Sequence, residues 1–144
     1  MTEMEASLEE QLKKIYSETT VDHILHPRNE RTLSSPDGFA AYVSGCGETM
    51  KIWLAVKNGA IQQTGFWTDG CAATIACGSM TAHMAVGLSV AQALSLNAQA
   101  IAEALESLPE GNFHCAELAS RTLKMALIDY LSMEQQPWKK LYRR

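Results

Sequence analysis

The pattern that most constrains the fold is an apolar alternation followed by an Asn-Gly pair. Over residues 50–56, apolar side chains alternate with polar or amphipathic ones, a period of two that is typical of a half-buried strand. Asn58-Gly59 comes next, and both residues readily adopt the positive φ that a two-residue hairpin turn requires. Residues 60–68 again have the composition of a strand. The sequence therefore predicts an antiparallel hairpin near the centre of the chain.

Helices are predicted on both sides of this hairpin. A further strand is expected over 39–44, and after Asp69-Gly70 the chain becomes rich in Ala, Met and Thr, which predicts a mostly buried helix over 71–86. Apolar spacing and capping residues predict the remaining helices at 8–26, 89–94, 97–108 and 115–133, with Ser89 and Asn97 as N-caps. The expected fold class is α+β: a short three-stranded antiparallel sheet with helices packed on one side.

The 144 residues fit one domain, 1–144, because neither a repeat nor a linker interrupts them. We expect the acidic N-terminal extension 1–14 and the basic tail 134–144 to be flexible. A net charge of −4 argues against a general affinity for nucleic acid. No apolar run reaches the roughly 18–20 residues of a membrane-spanning helix, and the first residues lack the pattern of a secretory signal. We therefore expect a cytoplasmic protein whose cysteines stay reduced.

Three of the four cysteines occupy the ends of predicted elements, where side chains from distant parts of the chain can converge. Cys46 lies in a Gly-Cys-Gly turn, Cys71 at a strand-to-helix junction, and Cys115 at the start of the last helix, directly after His114. Helix N-termini lower the pKa of a thiol, so we expect Cys71 and Cys115 to favour the thiolate that binds metals. The wide spacing is not that of zinc-finger knuckles, and by itself it leaves open both a shared metal site and unrelated cysteines.

Short motifs around these cysteines are more specific when they are taken together. In chain order they are His26-Pro27-Arg28-Asn29, Cys46-Gly47-Glu48, Asp69-Gly70-Cys71 and His114-Cys115. This set, within about residues 16–130, resembles the IscU/NifU-type iron–sulfur cluster scaffold family in its stand-alone form. The resemblance implies that Cys46, Cys71 and Cys115 hold the cluster and accept sulfur, with His114 as an alternative fourth ligand. Glu48 stands where the family usually has Asp, and we expect its carboxylate to keep a role as a metal ligand.

The resemblance also implies a function. A scaffold of this family receives persulfide sulfur from a cysteine desulfurase, takes up iron, draws on an electron donor, and passes a labile [2Fe–2S] cluster to apo iron–sulfur client proteins; it is not a turnover enzyme. Cys115 is the leading persulfide acceptor, because the loop before it is expected to swing. Residues 108–112, Leu-Pro-Glu-Gly-Asn, depart from the segment that a specialised Hsp70 chaperone reads in this family, so that partner is not expected.

Two other functions remain open. The same residues suit tetrahedral Zn²⁺, so the chain could instead be a zinc-binding sulfur acceptor, and zinc in the isolated protein would not separate the two. A protein-binding module without metal is the second alternative, and it predicts that serine at Cys46 or Cys71 leaves function intact. Cys77 is expected to be a buried structural thiol, and the pair His23 and His26 to be structural as well.

Overall fold

The computed structural model describes residues 3–136 and 138. Over this part of the chain the elements are α1 (Glu3–Lys13), α2 (Glu18–Leu25), β1 (Gly38–Val43), β2 (Thr49–Lys57), β3 (Ala60–Thr68), α3 (Ala72–Ala85), α4 (Val90–Leu94), α5 (Ala98–Ala104), a 3-10 turn (Glu110–Asn112) and α6 (Phe113–Gln135). The four basic residues of the expected tail lie outside the described residues; they are Lys139, Lys140, Arg143 and Arg144. Among the described helices, none is long and apolar enough to cross a membrane.

The three strands form an antiparallel sheet in the order β1-β2-β3. The turn between β2 and β3 is formed by Asn58 and Gly59, with φ of 55° and 78°, as the Asn-Gly pair predicts. The pairing runs from Met50 opposite Thr68 to Lys57 opposite Ala60, with one irregularity between Ala55 and Val56. The predicted α+β class and the hairpin are confirmed.

Helices α3 and α6 cover one face of the sheet, and the hydrophobic core lies between the sheet and these helices. Met50, Ile52 and Leu54 on β2 and Phe66 on β3 are fully buried on this face. Gly38 on β1 shows how closely α6 approaches, because a Cβ built there would lie 2.5 Å from the carbonyl oxygen of Ala126. Burying large side chains at about 25 cal/mol per Å² of apolar surface supplies the main stabilisation of such a layered domain.

The predicted opening helix at 8–26 is wrong as a single element, because the chain breaks between α1 and α2. Ser17 acts as the N-cap of α2, where its hydroxyl oxygen accepts a hydrogen bond from the backbone N–H of Thr20. The same hydroxyl and that of Thr20 donate to the carbonyl oxygen of Leu105, at the end of α5. A contact from a distant segment therefore fixes the break that apolar spacing alone does not show.

The helix predicted over 97–108 ends earlier than expected. Asn97 is its N-cap, as predicted, but α5 stops at Ala104. Glu106 and Ser107 then adopt positive φ values of 63° and 101°, so the chain turns away before the 3-10 segment. The predicted N-cap Ser89 is also confirmed, with Gln92 completing a capping box.

Helix α1 is the least integrated of the described elements. It contains no buried residue, and its Met4 and Leu8 side chains are exposed. The acidic extension thus has a helical conformation in the structure, whereas the predicted flexibility of 1–14 and the domain limits stay predictions.

Candidate metal centre

Three segments meet at one end of the sheet: the β1–β2 loop, the start of α3 and the start of α6. Val43 pairs with Thr49 across the loop, and Thr49 is also fixed to the end of β3, because its N–H donates to the Asp69 carboxylate at 2.8 Å. The hydroxyl of Thr68 donates to the carbonyl oxygen of Thr49 at 2.7 Å. These bonds place the loop that carries Cys46 and Glu48 beside the start of α3.

A carboxylate, an imidazole and a thiol come together at this end of the sheet. One ligand atom each from Glu48, His114 and Cys115 lie within 4.8 Å of one another. The Cys115 sulfur and His114 Nε2 are 3.6 Å apart. Sulfur, imidazole nitrogen and carboxylate oxygen are ligands that Zn²⁺ and iron accept in proteins. This trio is therefore a candidate metal centre.

Thr74 stands among these residues and is a site residue that the sequence analysis missed. Its hydroxyl oxygen lies 2.8 Å from Glu48 Oε2, 3.3 Å from the Cys115 sulfur and 3.5 Å from the Cys71 sulfur. Cys71 is the N-cap of α3, and residues three apart share a helix face. That spacing from a candidate ligand was the available sequence signal.

The other two predicted ligands are placed differently. Cys71 is exposed; its sulfur contacts the Thr74 hydroxyl and is also hydrogen-bonded to Cys115. Cys46 is exposed on the β1–β2 loop and does not belong to the clustered trio among the described residues. The structure thus brings Glu48, His114 and Cys115 together, sets Cys71 at their edge, and leaves Cys46 outside the trio.

Cys115 lies in a setting that the sequence analysis did not anticipate. Helix α6 begins at Phe113 rather than at Cys115, so Cys115 is already within the helix and its side chain is fully buried. The 3-10 turn Glu110–Asn112 continues directly into α6, so Cys115 lies two residues inside the helix; the expected swing of the preceding loop stays a prediction. The exposed thiols of this end are Cys46 and Cys71.

The expected lowering of the thiol pKa is wrong for Cys115. Burial raises the pKa of the Cys115 thiol to about 11. A hydrogen bond from Thr74 opposes this rise, and the nearby charges of Cys71 and Glu48 add to it. Loss of water around the sulfur is thus the largest influence on this thiol, and burial in apolar surroundings raises a thiol pKa.

The surroundings of the site include the buried Cys77 and the partly buried Tyr16. Cys77 is fully buried in the core, and burial raises the pKa of its thiol well above the usual value. This agrees with the structural role predicted for it. Burial also raises the pKa of Tyr16, and the charges of Cys71 and Cys115 contribute to that shift. The phenol of Tyr16 is therefore near the thiols of the site.

The sequence matches one family model over most of its length. Residues 15–137 match the family of the NifU-like N-terminal domain. The chain belongs to this family. The match includes all three predicted cluster cysteines, Glu48 and His114, and it confirms the family resemblance drawn from the motifs.

Several curated relatives are named as iron–sulfur cluster assembly scaffold proteins. An iron–sulfur cluster assembly scaffold protein IscU of Archaeoglobus fulgidus is 39% identical over 117 residues, which cover 81% of this chain and 76% of that protein. The IscU scaffold protein of Haemophilus influenzae is 35% identical over 120 residues, covering 80% of this chain and 94% of the relative. By sequence, the chain is thus similar to proteins that are named as iron–sulfur cluster assembly scaffolds.

Solved structures support the fold. A SUF-system scaffold protein from Fervidobacterium islandicum AW-1, described as putative, superposes with a TM-score of 0.62 at 18% identity, covering 79% of this chain and 97% of that one. The N-terminal part of a NifU-like protein from Brucella abortus gives a TM-score of 0.53 at 18% identity, over 92% and 99% of the two chains. At such identities the likeness speaks for the fold alone, which is the predicted one.

Proposed function

We propose that this protein is a scaffold on which an iron–sulfur cluster is assembled and from which the cluster is passed to apo-proteins. The observation that carries the proposal is the meeting of Glu48, His114 and Cys115 within 4.8 Å at the end of the sheet. The family membership and the names of the relatives support it. The cluster is cargo in this account, and the protein does not turn over a substrate.

The ligands that we propose are Cys46, Cys71 and Cys115, with His114 as an alternative fourth ligand and Glu48 as a carboxylate ligand during iron entry. Cys71 needs only a small shift, because its sulfur already contacts the hydroxyl that Cys115 contacts. Cys46 joins the other ligands only if the β1–β2 loop moves. The loop has open space around it, because a Cβ built on Gly45 or on Gly47 has no neighbour within 4 Å. An exposed site with mixed ligands favours a labile cluster.

Sulfur is proposed to arrive as a persulfide from a cysteine desulfurase. Cys115 remains our proposed acceptor, because the imidazole of His114 and the carboxylate of Glu48 both lie within 4.8 Å of its sulfur. Its burial means that sulfur reaches it either after the start of α6 opens or by way of an exposed thiol, Cys71 or Cys46. Reduction of that sulfur to sulfide requires an electron donor, and the finished [2Fe–2S] cluster then leaves for a client protein.

The decisive test is anaerobic reconstitution with ferrous iron, cysteine and a cysteine desulfurase, followed by visible absorption and by mass spectrometry of persulfides. We expect sulfide-to-iron charge-transfer bands in the wild-type protein. We expect Cys46→Ser, Cys71→Ser and Cys115→Ser to lose most of this absorption, whereas Cys77→Ala, which removes the buried thiol, keeps it. Equal cluster yields in all four variants would contradict the proposal.

Zinc-dependent sulfur acceptance is the second candidate, and the donor set is compatible with it. Cys71, Cys115, His114 and Glu48 would complete a tetrahedral site of the kind that Zn²⁺ takes. The same reconstitution separates the two functions. Retained persulfide on a zinc-loaded protein without charge-transfer bands would support the relay, and a cluster that transfers to an apo-ferredoxin would support the scaffold.

A further inference from the structure

We infer that Thr74 is a positioning residue of the site. Its hydroxyl donates a hydrogen bond to Glu48, and it donates to the Cys115 sulfur instead when Glu48 binds a metal ion. The inference rests on the proposed function only in requiring that this end of the sheet binds a metal ion. It assigns a role to a residue that is not itself a proposed ligand.

The contacts of Thr74 allow only one recipient of its hydrogen at a time. A hydroxyl group carries one hydrogen and two lone pairs, and Thr74 faces the Glu48 carboxylate and two sulfur atoms. The bond to Glu48 Oε2, at 2.8 Å, has the length of a good O–H···O bond. The 3.3 Å to the Cys115 sulfur is within reach of a hydrogen bond to sulfur from the same oxygen. Rotation of the hydroxyl is therefore enough to exchange one partner for the other.

The exchange links two events at the metal. While the hydrogen points to Glu48, the carboxylate is held against the first turn of α3. When the carboxylate binds a metal ion, Thr74 donates instead to the Cys115 sulfur, and a hydrogen bond to a metal-bound sulfur stabilises its charge. Thr74 thereby favours the arrangement in which Glu48 and Cys115 bind the same ion.

The backbone holds the Thr74 oxygen in place for this task. The Thr74 side chain is fully buried, and as a β-branched residue in a helix it has few allowed rotamers. Gly70 leaves the space that it occupies, since a Cβ built on Gly70 would lie 2.7 Å from Thr74 Cβ and 2.9 Å from its hydroxyl oxygen. The hydroxyl is thus fixed in position while its hydrogen remains free to rotate.

The test compares three variants whose substitutions all lie in α3. Thr74→Val removes the hydroxyl at nearly constant volume, and Thr74→Ser keeps the hydroxyl. Thr81→Val is the matched control: Thr81 is also buried in α3, and its hydroxyl has no hydrogen-bond partner among the described residues. Each full-length protein is titrated with Co²⁺, whose visible spectrum reports the ligands, and with Zn²⁺ against a chromophoric chelator.

We expect Thr74→Val to weaken Co²⁺ and Zn²⁺ binding by about tenfold or more, the usual effect of removing a group that supports metal ligands. It should also shift the Co²⁺ absorption bands. Thr74→Ser should stay within about threefold of the wild type, and Thr81→Val should match it. Wild-type affinity and spectrum in Thr74→Val, or equal losses in Thr74→Val and Thr74→Ser, would overturn the inference.

Two additions keep the test decisive. If Thr74→Val folds poorly by circular dichroism, Thr74→Ala removes the same hydroxyl with no risk of overpacking, and the same losses are expected from it. In a Glu48→Gln background, Thr74→Val should cost clearly less affinity than in the wild type, because the amide of that variant is a poor metal ligand and does not release the Thr74 hydrogen to the Cys115 sulfur; equal costs would count against the inference. Cluster assembly by the wild type, measured separately, shows whether the proposed function fails independently of Thr74.

Discussion

At the scale of single residues, His23 is a buried titratable side chain outside the metal centre. It is only 5% exposed, and its Nδ1 lies 2.7 Å from the hydroxyl oxygen of Ser79, which also accepts the backbone N–H of Arg28. Burial is the main cause that lowers the pKa of His23 to about 4, and the positive charge of Arg28 adds to this effect. The negative charge of Asp22 acts in the opposite direction. His23 is therefore neutral in the folded protein at pH 7.

This lowered pKa predicts a loss of stability in mild acid. An unfolded histidine has a pKa of about 6.5, so the unfolded chain binds the proton first, and the stability present above pH 6.5 is lost as the pH falls towards 4. Between pH 7.5 and pH 5 the free energy of unfolding should fall by roughly 2 kcal/mol on account of His23. Urea unfolding at several pH values measures this fall.

A pair of histidine variants isolates the effect. His23→Gln should flatten the dependence of the unfolding free energy on pH between 7.5 and 5, whatever its effect on stability at pH 7. His26→Gln replaces an exposed histidine at the end of α2 and should keep the wild-type dependence. A His23→Gln protein with an unchanged slope would refute the assignment.

The sequence revealed the chemical character of single residues better than their surroundings. The cysteines of the motifs, with Glu48 and His114, could be chosen because their side chains are reactive and the motifs are specific. Thr74 was missed, since its position three residues after Cys71 is a weak signal and its role arises only where α3 meets two other segments. The depth at which Cys115 lies was also hidden, because one or two residues of extra helix decide whether a side chain faces water.

At the scale of elements, α3 is held close to the sheet by a glycine within the helix. A Cβ built on Gly78 would lie 2.6 Å from Cδ2 of Phe66 and 3.1 Å from Cε of Met50. Both side chains are fully buried, so neither has free space into which it can move. The missing side chain thus sets the distance between α3 and the layer of β2 and β3.

Gly78→Ala should therefore destabilise the protein although alanine is the better helix former. Overpacking a core costs about 1–3 kcal/mol, and the gain in helix propensity returns about 1 kcal/mol. We expect a net loss of up to about 2 kcal/mol in urea unfolding. Gly111→Ala is the control, because a Cβ there has no neighbour within 4 Å; it should be neutral or slightly stabilising. A stabilised Gly78→Ala protein would show that α3 can move away from the sheet.

Elements with strong local signals were predicted well, and elements with distant determinants were not. The strands, the Asn58-Gly59 turn and the N-caps Ser89 and Asn97 all depend on neighbours within a few residues. The break before Ser17 depends instead on the carbonyl of Leu105, which a pattern of apolar residues cannot reveal. The close approach of α3 at Gly78 is equally invisible in the sequence, because its cause is a ring on β3.

At the scale of the whole molecule, the candidate metal centre joins three segments that are far apart in the chain. Glu48 comes from the β1–β2 loop, Cys71 and Thr74 from the start of α3, and His114 and Cys115 from α6. The general α+β architecture followed from the order of the elements, but which ends meet, and how closely, followed only from the packing. A metal ion bound there would link the sheet to both of the helices that cover it.

Because global unfolding separates these three segments, metal binding should stabilise the entire fold. At a free Zn²⁺ concentration a hundredfold above the dissociation constant, linkage adds about 2.7 kcal/mol, which corresponds to a rise in Tm of roughly 10 °C for a chain of this size. Differential scanning calorimetry with and without zinc measures the rise. Cys115→Ser should lose most of it, whereas Cys77→Ala should keep it even if its own Tm is lower, since the buried Cys77 is not a proposed ligand. An unchanged Tm after zinc removal, or an equal rise in both variants, would mean that the metal does not hold the three segments together.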